Sequence, residues 1–529
     1  MTPVANVNDL LDGHVVLDLQ CLDRIYLNAY VPNLQVSGQV VNFMRDHLGM
    51  PIPSPAVMEK MGNRFRKAVA TFADTHHIPV VRFKRGDRHI DLMLPYLNKA
   101  TEPGVAAIGV AQEFQSVFGS TRRDAPSGAP FFTFQKADRR VTAYYFYVVD
   151  ADFGHGFIKI CAYFPYPGKV WVNGHEWAKR QAARYGLSFT ELSNGFASCS
   201  DPTALQAICD RLGPNQIQSF FERWMQVVPT PLGADDRAAG YWWELSMRQI
   251  EVSDTIVFDA PRRARAFFEA TVADNLDIGR PDEIKLIFDR QVRKTTKGEF
   301  ATKVVTRGTQ VTVNAFYKHS RIKQYLKEGR ALRIETVVNS PTDLGVPRRL
   351  IHLAELVDKA TAANRRLLAI ERAGQGCAIE TALWERISQP SLQEGQRTGA
   401  IRFGDTRAMA LAGALCVALN TVVGFTNKSL RALVSELLSG PYSSPQMTYD
   451  LRRLRLKGLV VRTEHSNNYT LTDDGLRFAV TYTKLGGRLL PPMLSANQPP
   501  APIELQRAFS TIEQHVDSYL ERARLRTAA

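Results

Sequence analysis

The chain has 529 residues, with 66 Lys and Arg against 52 Asp and Glu, a formal charge of +14 and a pI near 9.5. A composition of 45% hydrophobic and 22% charged residues excludes global disorder, and the length calls for several domains of about 100–200 residues each. The basic balance favours a polyanionic partner, with nucleic acid first and DNA ahead of RNA.

The opening segment carries Asp9 and Asp12 but no Lys or Arg, and no run of about 18 apolar residues occurs anywhere. Neither a secretion signal nor a membrane contact is therefore expected, and the expected location is cytoplasmic. Cys21, Cys161, Cys199, Cys209, Cys377 and Cys416 are scattered with no Cys-x-x-Cys pair, which excludes structural zinc and a disulfide framework. No Gly-x-x-x-x-Gly-Lys-Ser/Thr loop and no Ser/His/Asp signature is present, so the sequence supports neither ATP hydrolysis nor triad chemistry.

From Val15 to about Glu113, strand-like runs such as Arg24–Val31 and Val105–Val110 alternate with helical ones at Val36–Leu48 and Val57–His76, which predicts an α/β unit. Gln115–Asp138 is rich in Ser, Gly, Pro and Arg and reads as a loop or boundary. Val141–Val149 and Phe157–Phe164 flank a natural hairpin connection, and further strands are expected at Val170–Val172, Gln310–Phe316 and Ala331–Val338. Leu350–Ala373 has the apolar spacing of a connecting helix. The fold class expected is therefore multidomain α+β: an N-terminal α/β domain over 1–139, a central antiparallel-sheet α+β domain over 140–348, a connecting helical region over 349–405, a DNA-binding module over 406–488, and a Pro-rich linker with a terminal helix over 489–529. No internal repeat is expected, and a homodimer through the terminal helix Glu504–Arg524 is.

Within "YYFYVVDADFGHGFIKICAYF", Asp150 and Asp152 stand at the end of a strand. Carboxylates at i and i+2 point the same way and suit a shared divalent cation, while Asp-x-Asp-x-Gly equally suits a turn. His175, Glu176, Lys179 and Arg180 open a helix nearby, a place for a phosphate or for completing a metal site. In "YWWELSMRQIEVSDT", Glu244 and Glu251 share a face if the segment is helical. The densest positive stretch, "NAFYKHSRIKQYLKEGRALRIETVVNS", sets Lys318, Arg321, Lys323, Lys327, Arg330 and Arg333 among Tyr317 and Tyr325, a pattern suited to tracking a nucleic-acid backbone. Its order Tyr325-Leu-Lys327 then Leu332-Arg333-Ile-Glu335 resembles that of phage and plasmid replication initiators, which nick DNA with a tyrosine and hold a metal with His-x-His. No His-x-His occurs here. Glu335 stands instead as a third acid beside Asp150 and Asp152 for Mg²⁺ or Mn²⁺, with Tyr317 in the catalytic set.

Near the C-terminus, Asn427–Leu438 and Met447–Lys457 read as two helices broken by Gly440-Pro441 and by the Ser443-Ser-Pro445 cap. Arg452, Arg453, Arg455 and Lys457 interleave with leucines on the second helix, and Leu459–Arg462 with Tyr469–Thr472 reads as a two-stranded wing. The segment "MTYDLRRLRLKGLVVRTEHSNNYTLTDDGLRFA" resembles the winged helix-turn-helix of MarR-like and PadR-like DNA-binding proteins. The resemblance implies that Arg452, Arg453 and Arg455 enter a major groove while the hairpin from Arg462 to Asn468 touches backbone, and Lys457 is a further expected nucleic-acid contact. The functional expectation is a DNA-binding protein of mobile-element or replication type with a metal-dependent nuclease activity. The alternatives are a non-enzymatic DNA-binding regulator and an RNA-binding protein working with a structured RNA.

Overall fold

Strand-forming runs along the first 340 positions, some alternating buried and outward residues and some buried throughout, give eleven strands that share one sheet, four of them 15 to 21 residues long. In the first half they are β1 (Val15–Tyr30), β2 (Val80–Arg82), β3 (Gly104–Asp124), β4 (Pro130–Asp150), β5 (Gly154–Cys161) and β6 (Gly168–Asn173). A small hairpin of β7 (Phe189–Leu192) and β8 (Gly195–Cys199) follows. The second half holds β9 (Glu244–Phe258), β10 (Glu299–Arg307), β11 (Gln310–Lys318), β12 (Ser320–Lys327) and β13 (Ala331–Val338). The computed structural model describes residues 13–124, 130–275, 298–307, 310–375, 381–393, 395–415, 425–438, 440–463 and 467–488, with Leu11, Pro126, Thr511 and His515. The expected Pro-rich linker lies outside the described residues, as do the tip 464–466 of the hairpin and nearly all of the terminal helix.

The sheet runs β10-β11-β12-β13-β9-β1-β6-β5-β4-β3-β2, mixed only because short β2 lies parallel to β3. Each half opens on a long strand, continues through helical residues and closes in a four-stranded meander. The orders β1-β6-β5-β4-β3 and β9-β13-β12-β11-β10 match, joined through the antiparallel β1–β9 pair. This duplicated topology corrects the expectation of no repeat. It also corrects the boundary at residue 140, which falls inside β4. The two expected domains are one unit, Asp9–Val272 with Lys297–Arg365. Gln115–Asp138 is not a loop but the outer part of the β3–β4 hairpin, paired from Gly104↔Val149 to Asp124↔Pro130. Its polar residues satisfy their backbone groups on each other, and Val117, Phe118 and Phe134 anchor it.

Helices close the sheet. Pro55–Thr75 lays Phe65 edge-on to Tyr144 at 5.6 Å, and His89–Lys99 packs Met93 and Leu97 on Ala107, Tyr145 and Tyr147. In the helix Leu353–Gln375, the Asn364 amide donates to the Val252 carbonyl at 3.2 Å and accepts from the Thr336 hydroxyl at 2.6 Å, which fixes it across β9 and β13.

The other unit comprises Met1–Asn8, Ala273–Thr296 and Arg366–Ala529. Its described part has helices Thr381–Ser388, Thr406–Leu415, Asn427–Leu437, Ser444–Leu456 and Asp473–Arg488, with hairpins β14 (Ser391–Gln393)–β15 (Gln396–Thr398) and β16 (Val460–Arg462)–β17 (Tyr469–Leu471). Leu411, Leu430, Val434, Leu451, Leu454, Phe478 and Tyr482 meet in its core. Among the described residues no helix is long and apolar enough to cross a membrane.

Candidate functional site

The helix Ser444–Leu456 begins where the Ser443 side chain accepts from the Gln446 amide, with Pro445 in the first turn, and it ends before Gly458 at φ +70°. Met447, Leu451 and Leu454 face inward. Thr448, Tyr449, Arg452 and Arg455 then fall on the solvent side, with Tyr449 51% exposed. Phe425 pairs with Tyr469, each amide donating to the other's carbonyl at 2.7 Å, and so adds a third short strand to β16–β17. Arg462 is exposed at the end of β16 and donates to the Asn467 side chain at 3.0 Å.

Two of the expected contact residues turn inward instead. Lys457 is fully buried and donates to the Gln389 carbonyl at 2.6 Å and the Ser391 hydroxyl at 2.9 Å. Arg453 pairs with buried Asp450 at 3.0 Å, which also binds Arg407 at 2.7 Å and the Tyr442 hydroxyl. Long cations at i+1 and i+5 of an exposed pair point toward the core side of a helix, where their ammonium or guanidinium needs a fixed acceptor.

Of the cations in the expected backbone-tracking surface from Lys318 to Arg333, one is buried, four are half-buried and one is exposed. β13 is buried throughout, and cross-strand register sets Tyr325 and Thr255 beside Arg333, and Lys323 and Ser253 beside Glu335. Arg333 has no exposure; it pairs with Asp23 at 3.1 Å and Glu335 at 3.2 Å, and donates to Thr255 and to His175 Nε2, each at 2.6 Å. Lys323 pairs with Glu335 at 2.7 Å, and Lys327 donates to the Ser193 hydroxyl at 3.1 Å. Arg321 lies half-buried over Phe316, Lys318 is half-buried, and Arg330 alone of the six is exposed. Tyr317 is 1% exposed, which removes it as a nucleophile that a strand reaches.

Burial holds His175 below its ordinary range, so its neutral Nε2 accepts from Arg333. Burial opposes the charge on Glu335, but Arg333 and Lys323 outweigh it and keep the carboxyl below the usual range. Glu251 moves the other way: burial pushes it up, and Glu335 and Asp23 add to this.

The set Asp150, Asp152 and Glu335 is not brought together. From β13 to β4 there are five strand steps, about 24 Å along the sheet at about 4.8 Å each. Asp150 serves its own turn: it accepts from the Asp152 and Phe153 amides, and binds Trp224 Nε1 and Arg223, each at 2.8 Å. Asp152 binds Arg184 and Arg223. Glu176 and Lys179 pair with each other at 3.0 Å.

Among the described residues, one group of acids offers oxygens within 4.8 Å of one another: Asp23, Glu251 and Glu335, all buried. An all-oxygen set has the right hardness for Mg²⁺ or Mn²⁺. Arg333 and Lys323 already bind two of the three carboxylates, Asp23 and Glu335, so an ion entering would compete with both cations. Sequence reasoning overlooked Asp23, which carried no motif, and left Glu251 on a segment of open type, which is the strand β9. Comparison with family models, curated proteins and solved structures found no match to this chain.

Proposed function

We propose that the protein is a DNA-binding protein of mobile-element or replication type, in which residues 406–488 act as a winged helix-turn-helix on duplex DNA. The observation that carries this reading is the order helix, bridge strand, helix, helix, two-stranded hairpin, with Thr448, Tyr449, Arg452 and Arg455 on the outer side of the second helix of the pair. Such a row suits insertion into a major groove about 12 Å wide, and Arg462 on the hairpin suits phosphate contact. Asn427 ties the start of the first helix of the pair to the second through Thr448 at 2.9 Å, which fixes the angle at which the second is presented.

Arg453 and Lys457 carry no DNA contact in this reading, and no catalytic step is assigned to Asp150, Asp152, Glu335 or Tyr317. The test is fluorescence anisotropy on labelled duplex DNA across a salt series. Arg452→Ala with Arg455→Ala is expected to weaken binding at least tenfold and to lower the slope of log affinity against log salt by about two. An unchanged slope overturns the assignment.

A further inference from the structure

The β3–β4 hairpin outruns β5 and β6 and passes over the loop joining them, where the Phe118 amide donates to the Phe164 carbonyl at 3.1 Å. Its Phe114–Ser116 stretch thereby becomes one wall of an open cavity of about 690 Å³. The end of β1 and the starts of β6 and β9 supply the others. Residues 348 and 349 are strapped beside β9, with the Met247 amide donating to the Arg348 carbonyl at 2.7 Å and Ser246 bridging Arg349.

Lys169, Arg248, Arg348 and Arg349 line this cavity, and no Asp or Glu does. Lys169 and Arg248 lie over the Tyr26 ring, at 5.3 and 5.8 Å, rather than on a carboxylate. Arg348 reaches only the Ser340 hydroxyl at 3.2 Å, and Arg349 reaches Glu244 at 3.9 Å. Burial, with Lys159 and Arg248 close by, pushes the Lys169 ammonium down to about 8. Cations crowded in this way repel one another, and an anion relieves the repulsion. Phe114, 74% exposed, stands on the same wall.

We propose that this cavity binds the phosphodiester backbone of a single-stranded nucleic acid, with an unpaired base stacked on Phe114. Its volume falls within the roughly 300–1,000 Å³ typical of small-ligand sites, room for a strand and not for a duplex. Stacking on an aromatic face also requires an unpaired base. Arg139 and Arg140, across the hairpin from Gln115 and Phe114, and Arg122 and Arg123 farther out are exposed and outnumber Asp124 and Asp138. The site lies in the sheet-bearing unit and does not depend on the winged-helix reading.

The experiment uses full-length protein carrying Arg452→Ala and Arg455→Ala, so that the C-terminal module is weakened equally in every protein compared, with labelled oligo(dT) and oligo(U) in separate anisotropy titrations. Adding Arg248→Glu and Arg348→Glu, both at exposed positions, is expected to weaken binding of at least one oligonucleotide tenfold or more and to lower its salt slope by about two. Which oligonucleotide binds more tightly distinguishes a DNA from an RNA strand. Phe114→Ala is expected to weaken binding at least fivefold with the slope unchanged. Superimposable titrations for the charge-reversed and parent proteins overturn the proposal. So does inorganic phosphate competing as well as the oligonucleotide per phosphate, which would mark a small-anion site.

Discussion

Two stretches dense in Lys and Arg, Lys318–Arg333 and Arg452–Arg462, look alike as sequence and meet opposite fates. In the first, most of the cations fall on neighbouring strands of one sheet, and for two of them the residue opposite on the next strand is a partner: Lys323 meets Glu335, and Arg333 meets Thr255. In the second they fall on a helix with one covered side, so Arg452 and Arg455 reach solvent while Arg453 and Lys457 turn in. Density of charge thus predicts a binding surface only when the secondary structure leaves a side open.

That contrast is sharpest at Arg333. Replacing it with Met strands Asp23 and Glu335 without their buried partner, and the expected loss is about 3–5 kcal/mol of unfolding free energy, read by urea denaturation. A loss below about 1 kcal/mol would mean that the pair is not the keystone described. In the helical stretch the buried acid is Asp450. Asp450→Ala removes an acceptor from Tyr442, Arg407 and Arg453, the last two partly open to water, so a smaller loss of about 1–3 kcal/mol is expected.

Lys457 and Arg455 divide the contrast within one turn. Lys457→Ala is expected to cost about 1–2 kcal/mol by leaving the Gln389 carbonyl without its donor, with the DNA salt slope unchanged. Arg455→Ala should leave stability within about 0.5 kcal/mol and shift the slope. Reversal of the two outcomes would exchange their assigned roles.

The smallest effect is on pH dependence. Because Arg333 and Lys323 hold the Glu335 carboxyl below its ordinary 4.5, its contribution to stability is fully present above that pH and is lost as pH falls through the lower folded value. Glu251, held above 4.5, works in the opposite sense and favours the fold at lower pH, so Glu251→Gln should flatten the neutral limb of the curve while Glu335→Gln flattens the acid limb. Thermal melting from pH 3 to 7 separates them.

Much of the local structure was legible. Periodicity located the helix Pro55–Thr75, the strands around Asp150–Gly156 and the pair Asn427–Leu437 and Ser444–Leu456, because each carries its own caps, turns or apolar stripe. What escaped was non-local. The Arg333–Asp23 contact joins residues 310 positions apart, and no short window contains both. The ribbon at 115–138 has few apolar residues because only a few of its side chains find a core, so composition described it as a loop. The repeated strand order has little counterpart in the sequence: "LDRIYLNA" from Leu22 and "SDTIVFDA" from Ser253 share Asp, Ile and Ala at matching places, too little to stand out without the topology.

The β1–β9 pair at the centre of the sheet sets a timetable for synthesis. Cys21 and Ser253, neighbours across that pair, are separated by 232 positions. At about 5–20 residues per second, β1 waits on the order of ten to fifty seconds on the ribosome before β9 exists. Through that interval one edge of a sixteen-residue strand stands unpaired, open to any other chain with an extended segment. Production of this protein should therefore be sensitive to anything that lengthens the wait, such as slow codons between β6 and β9, and a chaperone that shields strand edges should raise the soluble yield.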